Sequence, residues 1–234
     1  MIYITQSVAK IREEIANAAL NAGRKPEDIT LLAASKTRSA EEIQTAIAAG
    51  ITAVGENRAQ ELVEKYTQGA YDGAALHFIG KLQSNKAKYL VGRVDMIQSV
   101  DSERLCQTIS RLAVDRGVTQ KILMEVNIGH EPGKAGVLPE DAFSLCERIG
   151  QMPGVLLCGL MAIPPAEEDP KPYFYEMRKL FEKMAQMQGP QFSVLSMGMS
   201  GDFADAIAEG STLIRIGTAL FGDRPAAKPK EAQF

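Results

Sequence analysis

Apolar residues recur along this chain in two alternating rhythms. Val8, Ile11, Ile15 and Ala18 fall three or four residues apart, which predicts a helix over 6–22. Gly23 ends it, because glycine enters the left-handed turn that closes a helix without steric cost. The next run, Ile29 to Ser35, is apolar without alternation and predicts a strand covered on both faces. Ser39 and Glu42 then form an S-x-x-E capping box, ahead of a helix whose apolar stripe is Ile43, Ala46 and Ile47.

The cycle repeats to the end of the chain. Further strands are predicted at 51–54, 76–79, 94–98, 121–127, 155–161, 192–197 and 212–216. Helices are predicted near 58–67, 84–90, 102–116, 139–150, 171–187 and 202–209. Eight apolar strands separated by helices predict a parallel sheet, and eight β/α units within 234 residues predict a single TIM (β/α)8 barrel. Only 17 residues follow Gly217, too few for a full eighth helix and its connections. The extra N-terminal helix is expected to cover the gap beside the last strand. Residues 1–222 are therefore read as one barrel and 223–234 as a loose tail. The proline-rich and acidic stretch from Pro164 to Pro172 is read as a loop on the barrel mouth.

Composition narrows the function classes. The 26 basic and 29 acidic residues leave a net charge of −3, with no basic stripe or aromatic platform for nucleic acid. No stretch approaches the ~18 apolar residues of a membrane span, and Met1 to Arg12 lacks an apolar signal core. A cytoplasmic protein is expected. Cys106, Cys146 and Cys158 have neither zinc nor C-x-x-C spacing and are read as reduced packing residues. A monomer is expected, since no stranded helix or apolar tail is visible.

Active sites of TIM barrels lie at the C-terminal ends of the strands, so unusual residues there are candidates. Lys36 directly follows the first strand. Its amine is either a partly desolvated nucleophile for a carbonyl or a rim lysine reaching water. Arg215 lies inside the last strand, where its permanent charge requires an acceptor. A neighbouring carboxylate and a ligand atom, such as a pyridine nitrogen, are both open. Ser200, Gly201, Gly217 and Thr218 lie at the ends of strands seven and eight, where barrels often hold phosphate. Asn57 either caps the following helix or contacts the pocket. His77 is read as a satisfied structural histidine, and Lys81, Lys86 and Lys88 as a solvated helix face. Gly129 to Lys134 is a near miss for a P-loop, one residue too short and followed by Ala135. A lysine, an arginine and a phosphate cradle on one barrel mouth suggest pyridoxal 5′-phosphate (PLP). The lysine would hold its aldehyde as a Schiff base, the arginine would face its ring nitrogen, and the cradle would take its phosphate.

Six segments carry a resemblance that spans nearly the whole chain. They are LLAASK (31–36), GEN (55–57), HFIG with LQSNK (77–80 and 82–86), GLMAI (159–163), SMGMSGD (196–202) and IRIGTALFG (214–222). Together they resemble the pyridoxal phosphate homeostasis proteins, the YggS/PROSC family. The resemblance implies a barrel like the N-terminal domain of alanine racemase. It implies PLP on Lys36, with Asn57, Ser200, Gly201, Arg215, Gly217 and Thr218 lining the site. It implies no established catalysis, but a carrier or buffer in vitamin B6 and amino-acid balance, with PLP-dependent apoenzymes as prospective recipients. Two positions depart from the family pattern: Leu76 stands where many members carry Trp, and Lys81 where Pro or His is frequent.

The alternative is an amino-acid racemase on the same barrel. Racemisation needs proton transfer on both faces of the substrate carbon. Alanine racemase has an added β domain that supplies a tyrosine, for which no residues are expected here. An arginine at the pyridine nitrogen also makes the ring a weaker electron sink.

Overall fold

The computed structural model describes residues 2–223; Met1 and residues 224–234 lie outside it, and with them all but the first residue of the expected tail. The chain opens with helix α1 (Ile2–Asn21). Eight strands follow: β1 (Thr30–Ala34), β2 (Ala53–Glu56), β3 (Ala75–Phe78), β4 (Met96–Val100), β5 (Gln120–Val126), β6 (Val155–Ala162), β7 (Val194–Ser196) and β8 (Leu213–Ile216). Between and after them come α2 (Ala40–Ala48), α3 (Ala59–Thr67), α4 (Glu103–Asp115), α5 (Pro139–Gly150), α6 (Lys171–Gln188), α7 (Phe203–Ala208) and α8 (Thr218–Phe221). The strands pair in sequence order, all parallel, and β8 returns to β1 with Thr30 opposite Leu213, closing the barrel.

The main core lies between the strands and the helices, where both carry apolar faces. Inside the barrel two smaller clusters fill the space, Leu32, Ala53 and Leu213 in one and Met96, Leu123, Cys158 and Met161 in the other. Cys106, Cys146 and Cys158 are free and buried, as packing residues.

The final helix has only four residues, and α1 packs against it, α2 and α7. The chain end of α1 is pinned by Arg24, which donates to the carbonyls of Ile207 and Ser211 at 2.9 and 2.7 Å. The N-terminal helix thus closes the gap left by the short eighth helix. Asp223, where the tail was expected to begin, is still held: its carbonyl accepts from Arg38 at 2.9 Å.

Several bounds differ from the sequence reading: α1 begins at Ile2 rather than residue 6, and β4 and β7 begin two residues late, at Met96 and Val194. The second strand begins at Ala53, two residues later than the apolar run suggests. Gly50 takes a φ of 104°, and the Ile51 N–H bonds back to the Ala46 carbonyl, so Ile51 belongs to the end of α2. The predicted helix at 84–90 is a 3-10 helix, Ser84–Tyr89, whose tighter turn suits a short connection.

Candidate functional site

The capping box at α2 forms as its sequence predicts: the Ser39 hydroxyl accepts from the Glu42 N–H and the Glu42 carboxylate accepts from the Ser39 N–H. It fixes the start of α2 three residues after Lys36, so the loop that carries the lysine is short. Thr37 within that loop has φ 65°, a region that β-branched residues avoid. Lys36 itself is half-buried.

Lys36 opens onto a cavity of about 620 Å³ at the C-terminal end of the barrel. Asn57, Ser200, Gly201, Arg215, Gly217 and Thr218 line the same cavity, so all seven residues singled out in the sequence meet there. Asn57 does not cap α3; Arg58 holds the N-cap position, without a side-chain bond. The Asn57 Oδ1 is buried and has no hydrogen-bond partner among the described residues. Gly80 packs directly on the Asn57 backbone: a Cβ there would lie 2.2 Å from the Asn57 carbonyl oxygen.

Arg215 is buried, and its acceptors are neutral. Nη1 donates to the Ser196 hydroxyl at 2.6 Å, and Nη2 to the Ala162 carbonyl at 3.0 Å. No ion pair reaches it among the described residues. Burial lowers its pKa to about 10, partly opposed by Glu125 and Asp202, which leaves it charged at neutral pH. The contact continues across the barrel interior. Ser196 Oγ donates to Gln98 Oε1 at 2.7 Å, and Gln98 Nε2 meets His77 Nδ1 at 2.8 Å. With the amide nitrogen as donor, His77 Nδ1 is the acceptor and the proton sits on Nε2. Burial lowers the His77 pKa to about 4, in keeping with a neutral structural histidine.

At the β7–β8 side of the mouth, next to β1, Ser200 and Thr218 bring their hydroxyl oxygens to 3.5 Å of one another. The N–H groups of Ser200 and Gly201 donate to no other group among the described residues. A Cβ at Gly201 would meet nothing within 4 Å. Two hydroxyls and two available N–H groups on one wall match an anion's needs. The donor set, the buried arginine and the half-buried lysine fit a pyridine ring bearing a phosphate and an aldehyde.

Sequence reasoning missed part of the wall. Glu125, Asn127 and Lys134 also line the cavity. Glu125 Oε2 is buried without a partner among the described residues, and burial, with Asp101 next, raises the Glu125 pKa to about 7. Its signal was available: in Leu123-Met124-Glu125 the carboxylate alternates with a barrel-interior leucine, the same pattern that marks Arg215. The loop read as a near-miss P-loop is part of this mouth through Gly133 and Lys134. Lys81, exposed and ahead of the 3-10 helix, lines the cavity as well, while Lys86 and Lys88 on that helix lie over the exposed Tyr89 ring at 5.8 and 5.2 Å.

Residues 8–225 match the alanine racemase N-terminal domain family. Pyridoxal phosphate homeostasis proteins of Aquifex aeolicus and Escherichia coli K12 are 41% and 37% identical, over 94% and 96% of this chain and 97% and 98% of theirs. The chain belongs to the pyridoxal phosphate homeostasis protein family. Its fold agrees with that assignment. The structure of PipY from Synechococcus elongatus with PLP bound superposes with a TM-score of 0.81 at 35% identity, over 94% of this chain and all of that one. Alanine racemase of Clostridium difficile shares only the fold, with a TM-score of 0.71 at 16% identity, over 92% of this chain and 60% of the racemase. No described helix is long and apolar enough to cross a membrane.

Proposed function

We propose that this chain binds PLP at the barrel mouth, captures it reversibly on Lys36, and carries or buffers it without turning over a substrate. The observation that supports this reading is the meeting of Lys36, Arg215 and the Ser200–Thr218 wall on one cavity. PLP supplies an aldehyde carbon open to attack by an amine and a ring that can draw electrons from it.

The chain's own residues divide the work. Lys36 presents its amine from a short, constrained loop. Ser200, Gly201, Thr218 and Gly217 receive the phosphate, and Asn57 lends its unpartnered Oδ1 to the polar wall. Arg215 would face the ring nitrogen as a permanent donor. An arginine has no proton to give up at neutral pH, so it would donate a hydrogen bond and leave that nitrogen unprotonated. The ring is then a weak electron sink, which favours holding the cofactor over catalysis. We place the protein in the cytoplasm as a monomer, with PLP-dependent apoenzymes as recipients.

The test is borohydride reduction of the PLP-loaded protein followed by peptide mapping. The label is expected on Lys36, and Lys36→Ala is expected to abolish it. A label elsewhere overturns the site. Incubation with L-amino acids is expected to give negligible racemisation; turnover near ~10 per second, typical of enzymes, overturns the carrier reading in favour of a racemase.

A further inference from the structure

A buried ionic cluster lies behind Lys36 and outside the cavity wall. Glu56, at the end of β2, has a fully buried side chain. Its Oε1 accepts from Lys65 Nζ at 2.6 Å, Ser35 Oγ at 2.7 Å and Tyr71 OH at 3.2 Å. Lys65, on α3, also reaches Glu61 one turn earlier, at 2.7 Å. The cluster then grips the backbone on both sides of the lysine. Lys65 Nζ donates to the Ser35 carbonyl at 3.0 Å, and the Thr37 N–H donates to Glu61 Oε1 at 2.6 Å.

We propose that Glu61, Lys65 and Glu56 act as positioning residues that clamp the peptide groups flanking Lys36 and so aim its amine into the cavity. The proposal rests on the reading of Lys36 as the residue that captures PLP. Three observations carry it. Buried ion pairs are poor sources of stability, so a cluster of this kind points to a requirement other than packing. Its hydrogen bonds to that loop's backbone fall on Ser35 and Thr37, the two neighbours of the lysine. Thr37 is held at φ 65°, an unfavourable conformation for a β-branched residue, by an N–H bond to Glu61. Strain of this kind persists where the surroundings enforce it. A reacting group displaced by about 1 Å can lose on the order of a hundredfold in rate, so a small relaxation of this loop is enough to matter.

The experiment compares Glu61→Ala with Glu61→Gln, since Glu61 is the most exposed member of the cluster and its loss leaves the Glu56–Lys65 pair intact. Glutamine keeps an oxygen for the Thr37 N–H; alanine does not. Two ligands separate positioning from folding: PLP, and 4′-deoxypyridoxine 5′-phosphate, which has a methyl group in place of the aldehyde. Glu61→Ala is expected to slow covalent capture of PLP by at least about tenfold, at unchanged affinity for the deoxy analogue. Glu61→Gln is expected to restore most of the rate. Wild-type capture by Glu61→Ala overturns the clamp, as does a parallel loss of both ligands, which marks a purely structural role. Labelling of Lys36 by acetic anhydride, followed by mass spectrometry, reads the amine without PLP. If the wild type captures no PLP on Lys36, the carrier reading fails; an unchanged labelling rate in Glu61→Ala then refutes the clamp separately.

Discussion

Arg215 donates to the hydroxyl of Ser196 at 2.6 Å, so its buried charge is held by a neutral acceptor. The direction of the chain behind it is fixed. Ser196 donates its own O–H to Gln98 Oε1, which leaves its lone pairs for the arginine. A guanidinium hydrogen-bonded to neutral groups keeps a positive field for whatever enters the cavity, offset in part by the nearby Glu125 and Asp202.

Ser196→Ala removes one acceptor from Arg215 and one donor from Gln98, both buried. The expected loss is about 1.5–3 kcal/mol, the range for hydrogen bonds to charged groups. Urea denaturation of the ligand-free protein measures it. A change below 0.5 kcal/mol, roughly the spread of surface substitutions, would mean that water or a shifted guanidinium takes the place of the hydroxyl.

Glu125 and His77 oppose one another in their response to pH. The Glu125 carboxyl rises to about 7 in the folded protein, chiefly through burial. Its contribution is therefore present below the ordinary carboxylate range and is lost as pH rises toward 7. The His77 imidazole falls to about 4, also through burial. Its contribution is present above pH ~6.5 and is lost as pH falls toward 4. Each amounts to about 3 kcal/mol, so the two offset over most of the acid range. Glu125→Gln is expected to raise stability at pH 8, to change little at pH 4.5, and to unmask a steady loss below pH 6.5. Denaturation midpoints at pH 4.5, 6 and 8 report this; curves parallel to wild type at all three would refute it.

Much of this arrangement was legible in the chain. Apolar runs without alternation gave a two-sided parallel sheet, and position relative to those runs picked out Lys36 and Arg215. The alternatives at Asn57 and Arg215 required the fold. Asn57 reaches the cavity because it directly follows the C-terminal end of β2 at Glu56, ahead of the N-cap of α3. The partner of Arg215 is a serine 19 positions away, brought beside it by adjacent strands, and Gln98 comes from the other side of the barrel. Such pairings depend on register and barrel closure, which no local pattern carries. Glu125 was overlooked for a different reason: its alternation with Leu123 marks the interior face, as it does for Arg215, but a glutamate in a seven-residue strand also suits an exposed face.

Gly80 is expected to tolerate no side chain. A Cβ there would stand 2.2 Å from the Asn57 carbonyl oxygen and 2.6 Å from its Cα, both backbone atoms that cannot rotate aside. Gly80→Ala must push Asn57 away from the cavity or distort the turn after β3. Overpacking of this kind costs about 1–3 kcal/mol. Melting curves and PLP titrations together check the link: a loss of stability with a matched loss of affinity is expected, and an unchanged affinity would remove Asn57 from the binding wall.

The phosphate wall yields the sharpest test of how the ligand is held. Ser200 and Thr218 come from the ends of β7 and β8 and bring their hydroxyl oxygens to 3.5 Å of one another. Hydrogen bonds to a charged acceptor contribute about 1.5–3 kcal/mol each, and tenfold in affinity corresponds to about 1.4 kcal/mol. Loss of both hydroxyls in Ser200→Ala with Thr218→Ala should therefore weaken PLP on the order of a hundredfold or more. Both side chains reach toward solvent at the barrel mouth and neither supports the core, so the fold and the Lys36 amine should be unaffected. Pyridoxal, which carries the same aldehyde and ring without the phosphate, should bind the wild type far more weakly than PLP. It should also bind the double variant as it binds the wild type. Titration of the ligand-free proteins with both compounds, followed by absorbance, separates the cases. Equal wild-type affinity for pyridoxal and PLP, or an equal loss of both in the double variant, would show that this wall does not hold the phosphate.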